Sequence, residues 1–261
     1  MPLQMHEDFI NHAKEILRQD NRLLGLLVGG SMITGIMDEY SDLDFIVVYE
    51  AEFKEEIMNQ RIPIAEKLGN LLAAFTGEHV GEPRVIICLY GSPPLHVDIK
   101  FVTVQELEQR AENPIILWER GSEISALMQG TSPQYPYPSL QWIEDRFWVW
   151  VHYGATKLGR GEWFELIDHI TFMRNAVLGP LFHIKNGELP RGVRKLEVHE
   201  GEELEELKET IPGHSAERCY RALKMTIRLY KRFRQNSEGL EYKREAEQVS
   251  ISYLESVYNK Q

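Results

Sequence analysis

Over the first 130 residues the spacing of apolar positions switches repeatedly between helical and strand-like. In "HEDFINHAKEILRQD", Phe9, Ile10, Ala13, Ile16 and Leu17 recur at helical spacing and predict an amphipathic helix. "RLLGLLVGG" is an unbroken apolar run closed by two glycines and predicts a buried strand, as does "LDFIVVY". Between them "SMITGIMDE" predicts a short helix, with Ser31 placed to cap its start. From Glu52 to about Phe75 the pattern favours helix, with a break expected at Pro63. "RVIICLYG" and "LHVDIKFVT" predict two strands joined by the turn-forming "GSPP", and "NPIILWERG" predicts a last one.

Beyond "GTSPQYPYPS" strand signals nearly vanish. "LQWIEDRFWVWVHYGATKLGR" predicts a long aromatic-rich helix, and "EWFELIDHITFMRNAVLGPLFHIKNG" another, with an interruption expected at Gly179-Pro180. "GEELEELKETI" is short and acidic. "HSAERCYRALKMTIRLYKRFRQ" places Ala216, Cys219, Leu223, Ile227, Tyr230 and Phe233 on one face, and "LEYKREAEQVSISYLESVYN" predicts a last helix. The pattern predicts an α+β chain. A mixed sheet with flanking helices spans residues 1–130, a Pro-rich linker 131–139, and a helical bundle 140–261.

Composition narrows the class. The 261 residues, 43% apolar and 26% charged, suit a folded protein of one large or two small domains. The formal charge of −11 argues against a nucleic-acid footprint and suits a cationic small substrate. Cys88 and Cys219 both sit in apolar patterns, so a disulfide framework is not expected. No apolar run approaches the roughly 18 residues of a membrane span, and "MPLQMHEDFINHAKEIL" has no signal-peptide pattern, so a cytoplasmic protein is expected. Nine histidines give no H-E-x-x-H and no Cys/His zinc spacing.

Chemistry concentrates in "LVGGSMITGIMDEYSDLDFIVV". Gly29, Gly30 and Ser31 lie between a strand and a helix start, where glycine lets backbone approach a ligand and free N–H groups favour an anion. A plain tight turn uses the same residues. Gly30 and Gly35 have the gap of a P-loop, but Ile36 and Met37 stand where Lys and Ser/Thr are required, and G-x-G-x-x-G is absent. Asp42 and Asp44 open the next strand on one face, with Cα atoms roughly 6.5–7 Å apart. Carboxylates that close repel unless cations lie between them, and Mg²⁺ binds through such groups together with substrate phosphates. In "LHVDIKFV", Val97, Ile99 and Phe101 should face the core, leaving Asp98 on the opposite face with His96 and Lys100. If this strand lies beside "DLDFIVV", Asp98 joins the first two carboxylates. An Asp98–Lys100 neighbour pair is the plainer alternative.

Together the pieces run as apolar strand, Gly-Gly-Ser, the eleven residues Ser31 to Ser41, Asp-x-Asp, apolar strand, and later an Asp in an alternating strand. This pattern, over about residues 20–125, resembles the nucleotidyltransferase superfamily typified by DNA polymerase β. The resemblance implies that Gly29, Gly30 and Ser31 bind the nucleotide. It implies that Asp42, Asp44 and Asp98 are the catalytic, metal-binding triad for two Mg²⁺ ions, with ATP or another nucleoside triphosphate as co-substrate.

A catalytic domain followed by a helical domain of similar size resembles the antibiotic nucleotidyltransferases, which adenylylate aminoglycosides or lincosamides. That implies transfer of AMP to a hydroxyl of a small, cationic acceptor, with pyrophosphate released. Other readings are a non-catalytic, antitoxin-like binder and a transferase acting on protein or RNA. "ATKLGRGEWFELIDHI" resembles a helix end and turn of this class, which implies Lys157 as a further nucleotide contact; a cation at a helix C-terminus explains it equally well. The general base stays open between Asp98 and the carboxylates Glu162, Glu165 and Asp168. The aromatics Trp142, Phe147, Trp148, Trp150 and Tyr153 are expected to be mostly core.

Overall fold

The structure, a computed structural model, describes residues 2–261. It separates into two units, the first ending at Tyr135 and the second running Pro136–Gln261.

The first unit is a six-stranded mixed sheet in the order β3-β4-β5-β2-β1-β6. Its strands are β1 (Leu23–Val28), β2 (Leu43–Tyr49), β3 (Leu71–Gly77), β4 (Glu82–Tyr90), β5 (Leu95–Thr103) and β6 (Ile115–Glu119). The helices are α1 (Pro2–Arg18), α2 (Ser31–Thr34), α3 (Lys54–Glu66), α4 (Val104–Glu108) and α5 (Glu123–Gly130). One face of the sheet is fully covered. Leu43, Phe45 and Val47 of β2 and Val97, Ile99 and Phe101 of β5 pack with Ile10, Ala13 and Leu17 of α1 and Ile57 and Ile64 of α3. The other face is covered only in part: Leu24, Leu27, Val48 and Val102 pack with Leu107 of α4 and Ile124 of α5. Because side chains alternate, Asp44 and Asp98 belong to this second face, at positions that precede Val48 and Val102 along their strands.

Two sequence expectations fail here. The helix foreseen from Glu52 to Phe75 ends at Glu66, and Leu71–Gly77 pairs antiparallel with β4. Leucine and alanine suit a helix locally, but partnership with a neighbouring strand overrides so weak a preference. Pro63 lies inside α3 rather than breaking it. Its missing N–H removes one bond to the carbonyl four residues back, and the helix ends within a turn anyway.

The second unit is helical: α6 (Leu140–Arg160), α7 (Trp163–Met173), α8 (Gly179–Lys185), α9 (Glu202–Lys208), α10 (Ala216–Phe233) and α11 (Arg244–Tyr258). α6 begins where Ser139 accepts from the Trp142 N–H and ends at Gly161, whose φ is 70°. Its face of Ile143, Phe147, Trp148, Val151, Ala155 and Leu158 packs with Leu166 and Ile170 of α7, Leu223 and Tyr230 of α10 and Leu254 of α11. The irregularity expected at Gly179-Pro180 falls one turn earlier, as a widened π turn over Arg174–Leu178, so Pro180 sits in the first turn of α8. Among the described residues no helix is long and apolar enough to cross a membrane.

Candidate active site

The turn after β1 is shaped around Asp44. The Gly29 N–H donates to the Asp44 carbonyl at 2.8 Å, continuing the ladder between β1 and β2. Gly30 then takes φ 61° and ψ −140°, and a Cβ on it would lie 1.9 Å from Asp44 Oδ2. Only glycine fits both the conformation and the space. α2 follows as a single turn, closed by Gly35 in the left-handed region.

Ser31 does not cap this helix, as its sequence position suggested. Gly30 occupies the cap position, and no side chain caps the turn. The Ser31 hydroxyl is instead buried with no hydrogen-bond partner among the described residues. A buried hydroxyl left unpaired costs roughly 1–3 kcal/mol, which a phosphate oxygen at this turn would recover.

Asp42 precedes β2 in a loop with its own anchors. The Asp38 carboxylate accepts from the Tyr40 N–H and the Ser41 hydroxyl, each at 3.0 Å. His6 of α1, almost fully buried, donates through Nε2 to the Ser41 carbonyl at 2.8 Å. His6 thereby fixes the backbone next to Asp42, a role that nothing in its local sequence signals.

Asp44 and Asp98 meet through strand order. β2 and β5 are parallel and in register, with Leu43 opposite Val97, Asp44 opposite Asp98 and Phe45 opposite Ile99. Neighbouring strands lie roughly 4.8 Å apart, so the two aspartates stand side by side on one face. The Asp98 carboxyl is pushed up, first by burial and also by the charge of Asp42, against the pull of His96.

The Asp98–Lys100 pair is not how the strand is wired. Asp98 accepts from His96 Nε2 at 2.9 Å. Lys100 instead pairs with Glu82 of β4 at 2.9 Å. Glu82 also holds Arg84, and its carboxyl is drawn down to about 2 by Arg84, against burial, with help from Lys100. Lys100 and Arg84 are thus committed to Glu82 rather than to Asp98.

Lys157 lies in the last turn of α6 in the second unit. Its Nζ is 2.7 Å from Glu162 Oε2 and 2.9 Å from Glu165 Oε1, and these two carboxylates hold its proton more tightly than usual. The Tyr153 hydroxyl donates to Glu165 as well. Of the aromatics in α6, Phe147 and Trp148 are buried, whereas Trp142 and Tyr153 remain exposed.

Residues 10–120 match the family model described as nucleotidyltransferase domain. The match covers most of the first unit, which is therefore similar to that domain. Among solved structures the chain is similar to an aminoglycoside 6-adenyltransferase from Bacillus subtilis, with 17% identity, a TM-score of 0.41 and 96% of each chain covered. It is also similar to a nucleotidyltransferase-like protein from Exiguobacterium sibiricum, with 12% identity, a TM-score of 0.40, and 93% of this chain and 76% of that one covered. A third is a spectinomycin adenyltransferase from Enterococcus faecialis with ATP and spectinomycin, with 15% identity, a TM-score of 0.30, and 97% and 99% covered. These likenesses are too distant to carry residue roles or substrates to this chain. No curated protein matches the sequence.

Proposed function

We propose that the protein transfers a nucleoside monophosphate, AMP from ATP, to a hydroxyl of a small cationic molecule of the aminoglycoside kind, releasing pyrophosphate. The observation that carries this reading is the in-register pairing of Asp44 with Asp98 beside a glycine turn moulded on the Asp44 carboxylate. The donor set fits Mg²⁺, which takes hard oxygen ligands. Asp42, Asp44 and Asp98 would hold two such ions. Bound there, they would offset the charge that develops on the transferring phosphoryl group and the leaving pyrophosphate.

The residues of the chain supply the rest. Gly29 and Gly30 let the backbone approach the triphosphate, and the orphaned Ser31 hydroxyl donates to a phosphate oxygen. Asp98 would also take the proton of the acceptor hydroxyl. An acidic chain favours a cationic acceptor through its overall field.

The test is pyrophosphate release from ATP and Mg²⁺ in the presence of aminoglycosides and lincosamides, with mass analysis of the acceptor. Release that requires an acceptor and stops on chelation supports the reading. Labelling of protein or RNA instead of any small molecule would replace the acceptor class, and no release with any acceptor would overturn the proposal.

A further inference from the structure

Away from the aspartate face, His183, Glu188 and His199 of the second unit place their donor atoms within 4.8 Å of one another. The sequence hides this group, because its spacings match no zinc motif. We propose that the three residues form a site for a divalent transition ion of the zinc type, which clips the connection from 186 to 199 onto the end of α8.

The site is built by backbone geometry. α8 ends in a Schellman turn, with Gly187 at φ 76°. The Glu188 N–H donates to the His183 carbonyl at 2.9 Å, and the Gly187 N–H donates to the Ile184 carbonyl at 3.0 Å. In such turns the residues at these two positions commonly touch through apolar side chains. Here they are an imidazole and a carboxylate, with His183 Nδ1 2.7 Å from Glu188 Oε2. A second left-handed residue, Lys195, starts the short turn Leu196–Val198 that delivers His199. His199 Nε2 then lies 3.1 Å from the same Glu188 oxygen.

Two imidazole nitrogens and a carboxylate oxygen thus stand within 4.8 Å of one another, a separation that can hold one ion. Ligands of a tetrahedral zinc ion stand about 3.3 Å apart, given bonds of roughly 2.0–2.1 Å, close to the 2.7 and 3.1 Å between the two ring nitrogens and the Glu188 oxygen. Each ring would then carry its proton on the other nitrogen, Nε2 for His183 and Nδ1 for His199. His183 is nearly fully buried and His199 mostly so, with Phe182 packed edge-on to His199. Glu188 is 43% exposed, so the fourth position opens to solvent and takes water. Two nitrogen donors and one carboxylate favour Zn²⁺, Co²⁺ or Ni²⁺ over Mg²⁺ or Ca²⁺, which prefer all-oxygen shells.

The test uses the full chain, stripped with a chelator and kept in millimolar Mg²⁺. Zn²⁺ is titrated against a chromophoric competitor, and Co²⁺ is added separately for its absorption bands. The expected result is about one Zn²⁺ per chain that Mg²⁺ does not displace, tetrahedral-type Co²⁺ bands, and a rise in Tm on loading. His199→Ala and Glu188→Gln, at the more open positions, should fold as judged by circular dichroism, lose the bands and bind Zn²⁺ on the order of 100-fold more weakly. The Asp42→Asn and Asp44→Asn pair should bind it as the parent does, which separates this site from the proposed active site. Binding that Mg²⁺ abolishes, or that survives both His199→Ala and Glu188→Gln, would overturn the proposal.

Discussion

Two groups of carboxylates in this molecule face opposite electrostatic situations. Glu144 of α6 is fully buried and fully answered: it accepts from Trp148 Nε1 at 3.1 Å, the Tyr230 hydroxyl at 2.6 Å, the Lys243 N–H at 2.9 Å, and the Arg234 guanidinium. Burial would raise its carboxyl, yet those bonds hold it below the ordinary range. Asp98 is only partly buried, and its carboxyl is raised, because burial and Asp42 outweigh His96. A charge completed by its own protein serves the fold. A carboxyl whose charged form burial disfavours, as at Asp98, marks a candidate site.

The comparison can be broken most directly at the aspartates. Asp42→Asn or Asp44→Asn should lower transfer at least about a thousand-fold while leaving Tm unchanged or slightly raised, since a repulsion is removed. Pyrophosphate release and a thermal melt on the same samples check both halves, and lost stability with retained transfer would reverse the contrast. Glu144→Ala should do the opposite. It leaves buried Arg234 with Glu247 alone and strands the Tyr230 hydroxyl and the Trp148 N–H, and should cost about 3–5 kcal/mol, read as a lower urea midpoint. Gly30→Ala sits between the two. A side chain at φ 61° pressed on Asp44 should cost about 1–2 kcal/mol and displace the carboxylate, so activity and stability should fall together.

The smallest effect is in pH, and its sign differs between the two groups. Above the ordinary Asp value of 3.8 and below its raised folded value, Asp98 binds more proton folded than unfolded. It therefore costs stability as pH rises through that window. Glu144 contributes stability above the ordinary Glu value of 4.5 and loses it as pH falls through its lowered folded value. In the presence of chelator, Asp98→Asn should be more stable than the parent at neutral pH, with the gap closing towards pH 3.8. Glu144→Gln should be less stable at neutral pH, with the deficit shrinking in acid. Urea midpoints across pH would show the two curves diverging, and parallel curves would remove the distinction.

Much of the fold was legible in the amino-acid order. Strands β1, β2, β4, β5 and β6, helix α6 and the all-helical second half follow from apolar periodicity. β3 was not legible, since "LLAAFTG" carries no strand periodicity of its own and becomes a strand only by pairing with β4. At the candidate site, Gly30, Ser31, Asp42, Asp44 and Asp98 stood out by type and spacing. His6, His96 and Glu82 did not: a histidine in an amphipathic helix and charges on an alternating strand look the same whichever neighbour they meet.

The sequence by itself determined which side of β5 faces the core, and with it that Asp98 avoids that core, and that Asp42 and Asp44 share one face. That information is local, because side-chain direction repeats every two residues along a strand. Only the tertiary structure decided that β5 lies parallel to β2 with Asp98 opposite Asp44, that Lys100 turns to Glu82, and that donor atoms of His183, Glu188 and His199 lie within 4.8 Å of one another. Strand order and turn geometry bring together residues far apart in the chain, and periodicity holds no record of those distances.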